Sequence, residues 1–404
     1  MISLREFPRH LIALALGTLA LGIAEFSMMS ILSAVAADLG VSIPKAGHFI
    51  SAYASGVCAG VILMVVALRG IPLKRLLLGL AAVIFAGSTF TAFAVNYPMM
   101  VIGRFISGLP HGIYFGVGAI VTAQLAKPGM ASRDVCLMAI GMTVANLIGV
   151  PLGSFLSWAV SWRAAFALVA FFAFVLFFAI RAWVPNLPAL PDKGFLAQFR
   201  FLGSLSPWLV LGAIALGNGG FFAYYSYVNP VMEDVAGLPA SSMSAIIALA
   251  GFGMVAGNLI SARVAGHISD PAIACIGQGV LCAALGALFL TAHWSVPAII
   301  LTAVAAGCVF FMSGPEQIMV FAEAGDGKLL GAALGQVAFN GGNAIGAYIG
   351  GLPIAAGKSA EWAAIPGSIS AMTGFALLYI VWRIHDIRRR ERLEAKNAPD
   401  DEED

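Results

Sequence analysis

The chain has 404 residues, of which 60% are hydrophobic and only 10% charged, with a formal net charge of +2. That composition excludes an ordinary soluble domain and places the chain in the polytopic membrane class, while the small net charge, gathered in short loops and the tail, excludes nucleic acid as a partner. The five cysteines, Cys58, Cys136, Cys275, Cys282 and Cys308, form no CxxC pair and no metal spacing with histidine. They read as small apolar residues, and no metal or cofactor is expected.

Apolar runs of about 20 residues can each cross a hydrocarbon core about 30 Å thick. Twelve such runs are predicted, over 10–32, 46–68, 76–95, 98–122, 135–159, 164–184, 206–230, 242–266, 272–292, 295–321, 329–352 and 361–384. The first follows Arg5 and Arg9 and ends near Ala34-Val35-Ala36, which imitates a signal-peptidase site. It is a full spanning length and contains Glu25, so it reads as a retained helix. The fourth run contains IGRFISGLPHGIYFGVGA from Ile102 to Ala119, with Arg104, Gly108 and His111 at i, i+4 and i+7 on one face. A charge within the bilayer costs about 2.5–3.5 kcal/mol on insertion scales and is a functional hypothesis with a partner to be found. Glu25 is the expected partner of Arg104, lying about 6 Å outward of its helix midpoint against about 9 Å for Arg104. A coupling pair and a static buried pair are both open readings.

On the fifth helix Gly141, Ala145, Gly149 and Gly153 form a ladder of small residues, interrupted by Pro151, that presents a close-contact surface. Asn146 adds a polar group to it. After the sixth helix the proline-rich stretch at 185–205 reads as a linker between a half at 1–184 and a half at 206–384, with a tail at 385–404. The seventh helix carries Asn218-Gly219-Gly220, where a local break is expected, then FFAYYSYVNP. Asn218, Phe221, Phe222, Tyr225 and Asn229 roughly share a face suited to stacking on and hydrogen bonding a small ligand; for Tyr227 and its neighbours an interfacial aromatic belt is the alternative. Glu316 in SGPEQ lies toward the end of the tenth helix, is expected to be solvated there, and is not expected to carry protons. Gln336, Asn340 and Asn343 on the eleventh helix should face a cavity or another helix.

Eighteen of the 22 basic residues fall on one side if the N-terminus is inside, so both termini are expected in the cytoplasm and the RRRER run reads as an inner-face anchor. The acidic end DDEED reads as a disordered tail. The halves echo one another: Leu16, Gly17, Ala20, Leu21, Gly22 and Phe26 reappear 195 positions later as Leu211, Gly212, Ala215, Leu216, Gly217 and Phe221. Two parallel repeats suggest a transporter with its site between them. Gly357-Lys358-Ser359 is not a phosphate loop, Gly251, Gly253 and Gly257 in an apolar helix are packing residues, and His48, His111 and His293 lack metal spacing.

The stretches GIAEFSMMSIL, GHFISAYASGV, GRFISGLPHGIYFGVGAIV, MTVANLIGVPLGSFLSWAVSWR and LLGAALGQVAFNGGNAIGAYIGG resemble the drug/proton antiporter branch of the major facilitator superfamily, in particular arabinose efflux permease-like proteins. The resemblance extends from about His10 to His385. It implies an all-α fold of twelve transmembrane helices in two six-helix halves, with proton-coupling roles on Glu25 and Arg104. Gly141, Gly149, Pro151 and Gly153 resemble the antiporter signature GxxxGPxxGG, although Val150 intervenes before Pro151 and Ser154 replaces the last glycine; pure helix packing is the other reading. The loop LRGIPLKR keeps Arg69, Lys74 and Arg75 but lacks the acid of the superfamily pattern DRxGRR.

The function expected is proton-coupled efflux of a small organic solute, a sugar or drug, by a monomer in the inner membrane, with protons and the lipid bilayer as its other partners. Symport or facilitated passage of sugars is the alternative. A membrane-embedded enzyme is disfavoured by the absence of a nucleophile-base or metal constellation, and a sensor by the absence of an output domain. The expected substrate-binding set is His111, Asn146, Asn218, Phe222, Tyr225, Gln336 and Asn340. Of these, all but Asn218 are expected to line one central cavity shared by both halves.

Overall fold

The computed structural model describes residues 8–67, 70–189, 200–324 and 328–397. Twelve long helices run antiparallel in chain order. The first six are α1 (Arg9–Ser30), α2 (Ile43–Ala67), α3 (Leu73–Ala92), α4 (Tyr97–Leu125), α5 (Ala131–Val144, continued through a π-helical turn Ala145–Gly149 into Val150–Ala159) and α6 (Trp162–Trp183). The second six are α7 (Leu205–Tyr225), α8 (Met243–Val264), α9 (Asp270–Thr291), α10 (Ser295–Ala324), α11 (Lys328–Ala355) and α12 (Ala364–Asn397). Eleven described helices are long and apolar enough to cross a membrane. The remaining long helix, α11, is rich in glycine and carries Gln336, Asn340 and Asn343. Those residues dilute its hydropathy, and most of its polar groups are turned toward protein rather than lipid.

Local chemistry sets several boundaries. The Asn96 side chain accepts a hydrogen bond from the Met99 N–H at 3.0 Å and opens α4 ahead of Pro98, while the Ser161 hydroxyl accepts from the Arg163 N–H at 3.3 Å and opens α6. In α5 the Val150 N–H reaches back to the Ala145 carbonyl, one residue further than in an α-helix, just before Pro151, which can donate nothing. α12 continues to Asn397, beyond the expected end at 384, because its charged last turns need no apolar surroundings once clear of the bilayer. Residues 190–199 of the expected linker, Arg69 of the LRGIPLKR loop and the DDEED tail lie outside the described residues.

The break expected at Gly219 and Gly220 is absent; α7 is continuous through them. Both glycines serve close approach instead. A Cβ on Gly219 would stand 3.0 Å from the Gly342 carbonyl of α11, and one on Gly220 would stand 2.5 Å from the Gly367 carbonyl of α12. The interruption comes later, where Val228–Pro230 passes into a π-helical turn, Val231–Val235. Tyr227 is not part of an interfacial belt. It is buried, and its hydroxyl donates to the Ala347 carbonyl at 2.7 Å.

The two halves use the same contact twice. In α2, Gly56 and Gly60 lie against the Phe105 and Leu109 carbonyls of α4; in α8, Gly253 and Gly257 lie against the Ala303 and Gly307 carbonyls of α10. Any Cβ at these four positions would overlap the facing carbonyl, so the backbones meet without a side chain between them. Gly141 meets the Ala15 carbonyl of α1 in the same way, and the Thr18 hydroxyl donates to the Met138 carbonyl at 2.7 Å. The halves touch along two seams, α2 with α11 and α5 with α8. In the first, the Ser51 hydroxyl donates to the Ala344 carbonyl at 2.8 Å. In the second, Gly251 sits on the Asn146 carbonyl. Large exposed side chains such as Phe171, Phe174 and Phe178 of α6 form the outward apolar surface that a bilayer would cover.

At the end of the bundle away from the chain termini, Asp38 accepts from Arg163 Nη1 at 2.8 Å and from Trp162 Nε1 at 3.0 Å, and Arg163 Nη2 donates to the Ala94 carbonyl. The bond from Arg163, then that from Trp162, holds the Asp38 carboxyl below its ordinary range. This strut joins the segments that follow α1 and α3 to the start of α6.

The glycine contacts give a direct test. Gly257→Ala should lower the melting temperature of the purified protein, by about 1–3 kcal/mol of overpacking, whereas Gly286→Ala, where a Cβ meets open space, should not. Equal melting of the two variants would remove the close-contact account of α8 and α10.

Candidate functional site

Arg104 is 1% exposed and is bound by backbone. Its Nη1 donates to the Ala24 carbonyl of α1 at 2.6 Å and its Nε to the Phe49 carbonyl of α2 at 3.3 Å. The guanidinium lies 4.4 Å from the centre of the Tyr53 ring and 5.5 Å from that of Phe166. Cation–π attraction in a desolvated place adds to the two charge-assisted bonds.

The direct Glu25–Arg104 pair expected from the sequence is not formed. Glu25, 2% exposed, has its Oε2 3.8 Å from His111 Nε2, and its Oε1 accepts a hydrogen bond from Asn343 Nδ2 at 3.3 Å. Helix depth placed the two charges at similar levels, but the Ala24 and Phe49 carbonyls take the guanidinium instead. Arg104 therefore fixes α1 at the residue next to Glu25 and leaves the carboxylate to other partners.

His111 is buried beside it, its Nδ1 2.8 Å from the Tyr53 hydroxyl and its ring stacked on Phe115 at 5.3 Å. The same Tyr53 hydroxyl donates to the Leu21 carbonyl of α1 at 3.4 Å. Tyr53, Arg104, His111 and Glu25 thus form one polar group inside the first six helices, and Asn343 reaches into it from α11.

The remaining expected residues do not gather around one central cavity in this conformation. Phe222 packs against Phe26, Phe221 and Phe339, and Tyr225 stacks on Phe221 at 4.6 Å with its edge toward Phe26. Phe26 comes from α1 and the others from α7 and α11, so an aromatic plug fills the space between the halves. Asn146 lies in the π-helical turn of α5, on a separate small crevice with Thr143, Met254, Val255, Asn258 and Phe310. Asn340 donates to the Gln336 carbonyl at 3.1 Å, and the Gln336 residue is partly exposed.

Asn218 is buried against an acid that the sequence reading set aside. Glu316 is 4% exposed rather than solvated, and its Oε2 accepts from Asn218 Nδ2 at 3.0 Å. The expectation failed because neighbouring helices close over this part of α10. Gly141, Gly149 and Gly153 seat α5 on α1, against Ala15 and Thr18, Ile23 and Ser27 respectively, with Pro151 buried at the start of the segment after the π turn.

A cavity of about 410 Å³ opens at the end of the bundle away from the termini, between the ends of α1, α5 and α7 and the start of α8. Ser30, Ser33, Ser154, Ser157, Trp158, Asn229 and Glu233 give it a polar wall. Asn229 ties it together: its Oδ1 accepts from the Ser33 N–H at 2.7 Å, across the halves, and its Nδ2 donates to Glu233 Oε1 at 2.8 Å. Burial is the main cause that moves the Glu233 carboxyl above its ordinary range. The sequence placed Asn229 on the ligand-facing side of the seventh run but gave no sign of Tyr53 or Glu233; the break at Pro230 was the available signal for Glu233.

The family profile of the Major Facilitator Superfamily matches residues 14–335. The chain belongs to the major facilitator superfamily. It is 40% identical to AraJ of Escherichia coli (strain K12) over 373 residues, covering 92% of this chain and 95% of AraJ. It is 26% identical over 283 residues, 70% of each chain, to the purine ribonucleoside efflux pump NepI of Shigella sonnei (strain Ss046). Among solved structures, that of a D-xylose-proton symporter superposes with a TM-score of 0.72 at 15% identity, over 93% of this chain and 97% of that one. That likeness is one of fold. The chain is a multi-span membrane transporter and not an enzyme, with twelve helices in two six-helix halves.

The binding of Arg104 by backbone carries a testable consequence. Arg104→Ala deletes two hydrogen bonds from a charged donor, worth about 1.5–3 kcal/mol each, and should lower the melting temperature clearly. Unchanged melting would mean that the guanidinium does not hold α1 and α2 to α4.

Proposed function

We propose that this superfamily member exports a small organic solute across the bacterial inner membrane in exchange for protons, by alternating access between a half at 1–184 and a half at 206–384. In this reading 185–205 is a cytoplasmic linker, 385–404 a cytoplasmic tail, and the working unit a monomer. The observation that carries the proposal is the place of Glu25: it is closed off from solvent inside the first half while taking a hydrogen bond from the second.

A bare carboxylate is costly to enclose, so the halves close over Glu25 readily only when its charge is neutralised by a proton or balanced by a bound solute. An empty, ionised carrier therefore resists turnover, which prevents a futile leak. Arg104 keeps the α1 backbone in place while this happens, and Asn343 reports the state of the carboxyl to α11. The aromatic plug of Phe26, Phe222 and Tyr225 would part to admit solute among His111, Asn146, Asn218, Gln336 and Asn340. The cavity at Asn229 and Glu233 would then be the route on the far side. One charge crossing 100 mV supplies about 2.3 kcal/mol, sufficient for a roughly 50-fold solute gradient. Efflux is favoured as the direction because a relative, NepI, is named as an efflux pump.

In proteoliposomes tested with purine ribonucleosides, pentoses and lipophilic cations, a proton gradient should drive uphill movement of at least one class. Glu25→Gln should abolish that uphill movement while sparing exchange of labelled for unlabelled solute, since exchange needs no net proton movement. Uphill, proton-driven transport by the Glu25→Gln protein would defeat the mechanism and reduce Glu25 to a structural residue.

A further inference from the structure

Among the carboxyls buried in the membrane-spanning helices, those of Glu25 and Glu316 are each paired with an amide. Glu25 Oε1 accepts from Asn343 Nδ2, and Glu316 Oε2 accepts from Asn218 Nδ2. In both pairs the amide oxygen has no hydrogen-bond partner, and in the second Glu316 Oε1 has none either. An unpartnered buried polar atom costs about 1–3 kcal/mol, so two orphaned oxygens in one side-chain pair call for an explanation.

The surroundings of Glu316 supply no counter-charge. Glu25 pairs with His111, Asp38 with Arg163 and Glu361 with His293, and none of these cationic groups reaches Glu316. From α7 the group that faces Glu316 is the uncharged Asn218, whose Nδ2 also donates to the Ile214 carbonyl. One turn further along α10, Met319 and Val320 belong to an apolar cluster with Val210, Ala213 and Ile214 of α7 and Ala274 and Cys275 of α9. The thiol of Cys275 is the titratable group that α9 brings to that cluster. Arg263, at the end of α8, and Arg383, in the second half of α12, stand exposed, and Glu323 of α10 accepts instead from the Ser206 hydroxyl at 2.6 Å. Glu316 also follows Pro315 inside α10, where the missing proline N–H leaves a backbone carbonyl of the preceding turn without its donor. The helix is thereby weakened next to the acid.

We propose that Glu316 is a second proton-carrying carboxyl, its proton on Oε1 completing a cyclic acid–amide pair with Asn218, so that each half contributes one proton site. A single hydrogen satisfies both orphaned oxygens: Oε1 becomes a donor and Asn218 Oδ1 accepts from it, while Nδ2 continues to donate to Oε2. Loss of that proton leaves a bare carboxylate in an apolar cluster, which favours opening of α10 at Pro315 toward water. This inference rests on the proton-coupled reading of the transporter for its consequence, an exchange of two protons per cycle in which Glu316 can release its proton productively only when Glu25 also cycles, because Glu25 governs closure of the halves.

Infrared difference spectroscopy of the full-length protein in lipid, between acidic and alkaline pH and without any solute, tests it. Two bands of buried protonated carboxyls are expected. Glu25→Gln should remove one and Glu316→Gln the other, and Asn218→Ala should shift the Glu316 band by depriving it of its amide partner. The proposal is overturned if Glu316→Gln leaves both bands in place. If that variant does not fold, an Asn218→Ala protein whose bands match the wild type overturns it equally. Because no transport is measured, a negative result here is distinct from failure of uphill movement, which would count against coupling itself.

Discussion

The structure depends on how one buried guanidinium is shared. Arg104 gives its hydrogens to the carbonyls of Ala24 and Phe49 and rests on the Tyr53 ring, so three helices of the first half meet at a single cation. In a hydrocarbon layer no water can take over those bonds, and the arrangement is correspondingly hard to disturb. Its consequence is what it leaves unbound. Glu25, next in sequence to Ala24, is held in position without being neutralised by direct pairing and can answer to His111 on one side and to Asn343 of the other half on the other. A direct Arg104–Glu25 bridge would have kept the carboxylate charged and its interactions inside one half.

The rest of the fold separates stiffness from movement. Within each half, glycine positions bring α2 to α4 and α8 to α10 at backbone contact, a packing with little room for sliding. Between halves the ties are fewer and more varied: Ser51 to Ala344, Asn229 to the Ser33 backbone, Asn343 to Glu25, and the stacked rings of the plug. Rigid halves joined by breakable contacts are what alternating access requires. The π-helical turn of α5 and the one that follows α7 fall where the halves meet or where the cavity opens, positions at which the chain must re-aim its side chains.

Much of this was legible in the sequence. Length of apolar runs set the number of helices, the repeated small residues marked the duplication, and the cost of charge in lipid pointed to Glu25 and Arg104. Partner choice was not legible, because backbone carbonyls can take a guanidinium in place of a carboxylate and leave no trace in residue type. Gly219 and Gly220 were open to two physical uses, flexibility or close approach, and only the neighbouring α11 and α12 decide between them. Glu316 was misjudged for the same reason: its place near a helix end suggested water, whereas three-dimensional packing covers it. Tyr53 and Glu233 became visible as site residues only through the side chains they touch.

The central claim is that the protonation of Glu25 governs how the halves close upon each other. Its most direct test is the distance between spin labels at Val95 and Val296, exposed positions at the end away from the termini and in different halves, in a chain whose five native cysteines are replaced. Measured in lipid, the wild-type distance distribution should shift between acidic and alkaline pH, and in the Glu25→Gln protein that shift should be clearly smaller, what remains coming from Glu316. A pH-dependent shift that persists undiminished in Glu25→Gln would contradict the account.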